Sequence, residues 1–222
     1  DCVEAALLLP RDNAQDFETV ARSDLDGTPE AAGLRAAARA ERRAQALPPV
    51  LARLQPLSVG RVGLLGGAPD LARIAVAALS RELSVTWVFP DAAARRAGLA
   101  AVDAAIADGE RSGSLAPDRA ARMRERLAGA EDPEALAGVP ILIGDRHLVR
   151  LPTPDHLPGV AKLFLGGAEG EMGLALSPAG RVCEVTLPPE TLPLARATAL
   201  AGLRRIGLMP VLTGGRPEAG AR

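Results

Sequence analysis

Few side chains in this sequence are equipped for chemistry, so their positions carry information. The histidines are His147 and His156, and the cysteines are Cys2 and Cys183. A general base needs an imidazole or carboxylate held by an orienting partner. His156 stands in TPDHLPG, the setting of a helix start, and could supply an imidazole only if the fold carries it to a cleft. His147 follows a Gly-Asp turn in an expected strand, where an ordinary surface or packed histidine is the plainer reading. Cys183 alternates with Glu184 and Val185 in VCEV, which makes it a small core residue rather than a nucleophile. The remaining motif is Gly66-Gly67-Ala68-Pro69-Asp70-Leu71, which closes an apolar run and opens a helical one. Backbone N–H groups at such a helix start attract anions, and the carboxylate of Asp70 can occupy that role from within the chain.

The elements that must hold these residues follow from periodicity. Residues 1 to 56 are rich in Ala, Leu, Arg and Glu, predict helix, and end at the Pro48-Pro49 breaker and the segment after it. From Arg61 short apolar runs alternate with helical stretches: RVGLLGG, APDLARIAVAALSREL, SVTWVF and DAAARRAGLAAVDAAIADGE. That order predicts a parallel sheet with crossover helices. Further helices are expected near Asp118 to Leu127, Pro133 to Ala137 and Thr191 to Ile206. Strands are expected at Val139 to Ile143, His147 to Leu151, Ala161 to Leu165, Val182 to Leu187 and Met209 to Thr213.

Composition narrows the partners. The 222 residues carry a net charge of −1, so no global basic field draws the chain to nucleic acid or anionic lipid. Phe17, Trp87, Phe89 and Phe164 are the whole aromatic supply, too scattered for a base-stacking platform. With 48% hydrophobic residues the core is built from Leu, Val, Ile and Ala. No apolar run reaches the length of a membrane span. The cysteines show neither C-x-x-C nor framework spacing, which argues against a zinc site or a disulfide scaffold and fits a reducing cytoplasm. The start DCVEAALLLPRD lacks an initiator Met and the grammar of a signal peptide, and a fragment or processed product is expected.

The order of elements from Pro56 to Pro217 resembles the NAD-binding domain of 3-hydroxyacyl-CoA dehydrogenases. The resemblance includes the stretch SGSLAPDRAARMRERLAGAEDPEALAGVPILI and the later VCEV and PETLPLARATALAGLRRIGLMPVL segments. Residues 1 to 56 resemble the helical connector between the hydratase and dehydrogenase halves of multifunctional fatty-acid β-oxidation proteins, with 57 to 222 as the dehydrogenase-like domain. The resemblance implies an α/β fold, a Rossmann-like doubly wound and mostly parallel sheet preceded by the connector, with NAD at its carboxyl edge. The family turn is G-x-G-x-x-G, and only its first glycine stands here, as Gly66. Ala68 puts a methyl where the backbone nears the pyrophosphate, Leu71 a side chain where helix meets strand, and Pro69 removes a donor. Were Asp70 to point at the pyrophosphate position, about 4 to 5 Å away, repulsion of roughly 3 to 4 kcal/mol is expected at an effective dielectric of about 20. That corresponds to a loss in affinity on the order of a hundredfold or more. The acid that binds the adenosine ribose is replaced by Phe89. Asp91, two residues on, is the nearest acid and reads as the N-cap of the next helix. Where the family commonly has a Glu, this chain has Gly144 followed by Asp145.

The resemblance also locates the catalytic positions. The family's Ser falls at Asp155 or His156, its base at Ala175 in GLALSP, and the Glu that orients the base at Glu184. Gly66, Gly67, Ala68, Asp70 and Asp91 are thus the vestigial cofactor positions, and Glu184 and His156 the candidate catalytic ones, with no metal. The altered positions point to a degenerate domain of a fatty-acid β-oxidation protein, without NAD or catalysis, that serves as a scaffold for other β-oxidation domains or subunits or binds acyl-CoA. A different nucleotide-like ligand in the same cleft, helped by Arg73 or Arg146, is a further option. The alternative is an active NAD-dependent domain that oxidises 3-hydroxyacyl-CoA to 3-oxoacyl-CoA.

Overall fold

Beginning at Arg61 the chain has the composition of a fully buried strand, RVGLL, and folds as one. In the computed structural model β1 (Arg61–Leu65) runs into α5 (Pro69–Ser80), then β2 (Ser84–Val88), α6 (Ala92–Arg111), α7 (Pro117–Glu125) and β3 (Leu127–Ala130). A 3-10 turn at Pro133–Leu136 leads to β4 (Ile141–Asp145), followed by β5 (Ala161–Leu165), β6 (Gly173–Leu176), β7 (Val182–Thr186), α8 (Pro193–Ile206) and β8 (Met209–Leu212). The preceding helices are α1 (Cys2–Leu8), α2 (Arg11–Asp26), α3 (Pro29–Gln45) and α4 (Pro49–Ala52). The structure describes residues 2–45, 47–145, 158–167, 170–178 and 180–213. His147, His156, Arg146, Asp155, Pro217 and the expected strand from His147 to Leu151 lie outside the described residues.

The strands form one sheet in the order β3-β2-β1-β4-β5-β6-β7-β8. All pairings are parallel except β6 with β7. The order reverses at β1, which has β2 on one side and β4 on the other. This is the doubly wound, Rossmann-like arrangement, with its crevice at the carboxyl ends of β1 and β4. The strands bury both faces, as crossover helices require. Val62, Leu64, Val85, Trp87, Ile141, Ile143 and Leu163 meet Ile74, Ala75, Ala78 and Leu203 on one side. Leu65, Val88 and Leu142 meet Leu136 and Val139 on the other.

Two strands are absent from the sequence expectation. LAGA of β3 lacks β-branched residues, and its head was expected to continue the preceding helix to Leu127, yet α7 stops at Glu125 and β3 pairs with β2 from Leu127 on. GLAL of β6 is short and has no flanking alternation, so only its position between β5 and β7 makes it a strand. The fourth strand is shifted two residues along from Val139, to Ile141–Asp145.

The chain divides into two compact units, 1–46 and 47–222. In the first, no residue of α2 is buried. In the second, α4 contributes the buried Leu51, and the Leu57 N–H donates to Thr198 Oγ1 of α8 at 3.2 Å.

Candidate functional site at the carboxyl edge

Gly66 ends β1 with φ +122°, a conformation that only glycine adopts without strain. Its N–H donates to Val88 O at 2.9 Å, and its carbonyl accepts the indole N–H of Trp87 at 2.8 Å. Trp87 is fully buried, so this bond satisfies a polar group that water cannot reach. Gly67 has room to spare: an added Cβ would meet only Ala94 Cβ, at 3.6 Å. Ala68 takes the N-cap position of α5 and Pro69 the first helical position. Pro69 has no N–H, and the Leu71 N–H is turned back to Ala68 O at 3.0 Å, so neither position offers a donor to an anion. Leu71 itself is buried in the core.

Asp70 does not turn to these N–H groups. Its Oδ1 accepts from Arg73 Nη1 at 3.0 Å, and both side chains are roughly 40% exposed. The charge that was expected to repel an incoming anion is therefore neutralised one turn along the helix. The second nitrogen of Arg73 donates to Ser177 O at 2.9 Å and Pro178 O at 3.3 Å. Arg73 thus ties the helix that follows the glycine turn to the connection between β6 and β7.

At the end of β2 the Phe89 ring is buried and stacked on Trp87, with centroids 4.5 Å apart and planes at 26°. Gly98 of α6 allows this pair to sit there, since a Cβ would lie 2.5 Å from Phe89 Cε1 and 3.1 Å from Trp87 Cη2. Asp91 is the N-cap of α6, its Oδ1 accepting from the Ala94 N–H at 2.7 Å, as sequence reasoning expected. Gly144 is buried against Leu65, and Asp145 ends β4, engaged within the fold.

The residues matched to the family's base and its orienting acid are brought together. Ala175 of β6 and Glu184 of β7 are direct cross-strand partners, so their Cβ atoms share one face of the sheet. Opposite Glu184 on its other side is Val211 of β8. Glu184 is half-buried and engaged in the fold, while Ala175 offers a methyl group and no proton acceptor. Cys183 points to the other side, fully buried, where desolvation pushes its thiol up to about 12. A cavity of about 480 Å³ opens elsewhere, at the start of β5, between Val160, Lys162, Met172, Leu192 and Ala195. Sequence reasoning missed it; the single lysine of the chain, Lys162, was its only signal. Among the described residues no group of His, Cys, Asp and Glu could hold a metal ion.

No family model matches the sequence, and none of the curated proteins matches it. Solved structures do resemble the fold. The (S)-3-hydroxybutyryl-CoA dehydrogenase PaaH1 from Ralstonia eutropha superposes with a TM-score of 0.59 at 17% identity, over 70% of this chain and 63% of that one. FadB2 of M. tuberculosis gives 0.62 at 16% identity, over 71% and 64%. The dehydrogenase part of multifunctional enzyme 1 from C. elegans gives 0.59 at 14% identity, over 77% and 45%. The chain therefore spans 45% to 64% of the length of these proteins. At such identities the likeness is one of fold, the mostly parallel doubly wound sheet with flanking helices.

Proposed function

We propose that this chain is a degenerate 3-hydroxyacyl-CoA dehydrogenase-like domain of a fatty-acid β-oxidation protein, which keeps the fold and has lost hydride chemistry. The observation that carries this reading is the pairing of Ala175 with Glu184. A carboxylate in that place orients an imidazole, and here its cross-strand neighbour is a methyl group, so no proton can be taken from a hydroxyl at that position. Three further features support it. The glycine turn lacks two donors, because Pro69 has none and that of Leu71 is spent on Ala68 O. The residue at the ribose position, Phe89, is packed under α6 and accepts no hydrogen bond. Asp91, the nearest acid, is engaged as a helix cap. The residues present do not fit NAD, and no step is assigned to it.

On this reading residues 1–46 serve as a connector, and the segment from Leu47, which carries the buried Leu51 of α4, belongs to the domain, with a role as a scaffold for neighbouring β-oxidation domains or as a binder of acyl-CoA. A cytoplasmic location is proposed with it, on the free, buried Cys183. Nucleic acid is not a proposed partner, and no helix among the described residues is long and apolar enough to cross a membrane.

Trp87 supplies the test. It is the only tryptophan and is bonded to the glycine turn, so a dinucleotide bound there would take up its excitation energy. Titration with NADH is expected to produce no saturable transfer at micromolar levels, and acetoacetyl-CoA with NADH no absorbance loss above a buffer control. Saturable transfer together with NADH oxidation would return the domain to the active dehydrogenases. A pull-down against hydratase and thiolase components tests the scaffold role, and failure to retain either counts against it.

A further inference from the structure

The unit formed by residues 1–46 has apolar surface that its own folding does not cover. In α2 the residues Phe17, Val20, Ala21 and Leu25 recur at helical spacing and make one stripe, and in α3 Leu34 and Ala38 do the same. No residue of α2 is buried, and Val20, Leu25 and Leu34 are 62%, 65% and 72% exposed. Single apolar residues on a surface need no explanation, whereas a stripe on each of two successive helices does. A unit of this length is too short to close a core by itself, and association is one of the ways small units gain one.

Charge runs beside both stripes. Asp12, Asp16, Val20 and Asp24 lie on one i, i+4 row of α2, so carboxylates line the Val20 edge of its stripe. On α3, Arg35, Arg39 and Arg42 recur at spacings of four and three, beside Leu34 and Ala38. By sequence α2 holds five acids to two arginines, and α3 four arginines to two glutamates. Pairs within the chain neutralise part of this, Glu18 with Arg22 at 2.7 Å and Asp26 with Arg35 at 2.8 Å. The remainder is still of opposite sign: Asp12, Asp16 and Asp24 against Arg11 on α2, and Arg39 and Arg42 against Glu30 among the described side chains of α3. Arg35 joins the two helices at their turn, donating to Asp26 Oδ1 at 2.8 Å and to Asp26 O at 2.7 Å. Among the described residues no ion pair links Asp12, Asp16 or Asp24 to Arg39 or Arg42.

Each helix is thus the complement of the other in charge, and both leave an apolar stripe open. A two-fold pairing of copies answers both at once, because α2 of one protomer then faces α3 of its partner and symmetry supplies the reverse contact. The stripes meet at the centre and the charged rows at the rim, the division usual in helix bundles. A partner surface of a single sign would match one helix and repel the other.

We propose that residues 1–46 are a self-association surface, in which α2 and α3 of one copy pair with α3 and α2 of a second to form a four-helix bundle that dimerises the chain. The surface does not depend on whether the glycine turn takes NAD.

Sedimentation equilibrium of the full chain over micromolar concentrations tests it. A monomer–dimer equilibrium is expected, weaker at high salt. Asp12→Arg with Asp16→Arg turns α2 to the sign of α3, and Arg39→Glu with Arg42→Glu turns α3 to the sign of α2. Each double variant should dissociate at least tenfold more readily, since symmetry applies every substitution twice. An equimolar mixture of the two should recover the dimer, because each helix again meets its opposite. Recovery also shows that both variants fold; should circular dichroism find either unfolded, Asp16→Asn and Arg39→Gln test the same charges. A dimer indifferent to these substitutions, or a mixture of folded variants that stays monomeric, would overturn the proposal. So would a chain monomeric throughout, its stripes then covered by another part of the chain or by a different protein.

Discussion

Trp87 and Cys183 show how much a single side chain's setting decides. The indole of Trp87 is spent on Gly66 O, so the residue that could report a ligand at the turn is also the one that holds the turn in shape. Cys183 sits between apolar neighbours, and burial raises its thiol from 9.0 to about 12. The neutral thiol is therefore the form the folded state prefers. Stability from this group is complete below the unfolded value and is lost as pH rises through the folded one, that is, between about 9 and about 12. Stability is expected to fall by up to about 1.4 kcal/mol per pH unit in that window, and Cys183→Ala should flatten the profile despite a lower starting stability. Urea unfolding at several alkaline pH values measures this. In a Cys2→Ser background a thiol reagent at neutral pH should leave the native protein unlabelled and label it once unfolded; rapid native labelling would contradict the burial.

Among the elements, the contact of α6 with β2 is the one that closes the carboxyl edge. Gly98 is the reason the helix can approach, and the Phe89 ring below it cannot retreat because Trp87 is stacked behind it. Gly98→Ala should gain about 1 kcal/mol in helix propensity and lose about 1 to 3 kcal/mol to overpacking, a net destabilisation that chemical denaturation can read. Adding Phe89→Leu should recover part of the loss; if Gly98→Ala alone is stabilising, the packing described for this edge is incorrect. Most of these elements were legible beforehand. The apolar run RVGLL, the helix after Pro69 and the N-cap at Asp91 follow from local rules that need no neighbour. The strands LAGA and GLAL were not legible, because four residues of Gly, Ala and Leu carry no preference that outlasts a competing helix, and the partner strands impose the extended form.

At the scale of the whole chain, the units 1–46 and 47–222 predict different outcomes for two truncations. Removing residues 1–46 should leave the melting temperature of the remainder within a few degrees, since the segment that packs on α8 begins at Leu47. Removing 1–56 also deletes the buried Leu51, worth about 2 to 3 kcal/mol, and should lower the midpoint by about 5 to 10 °C. Calorimetry of both forms distinguishes a connector that ends at 46 from one that ends at 56; equal midpoints would favour the longer connector. The sequence by itself determined the alternation of strands and helices, the first glycine of the turn and the loss of its successors, because hydrophobic period and backbone freedom are local properties. Tertiary structure decided that Glu184 faces Ala175, that Asp70 turns to Arg73 rather than to the helix N–H groups, and that the Arg81 guanidinium lies against Gly207. Those are relations between residues distant in the chain or between competing partners, and they exist only once strand register and helix crossing have been fixed by burial of the core.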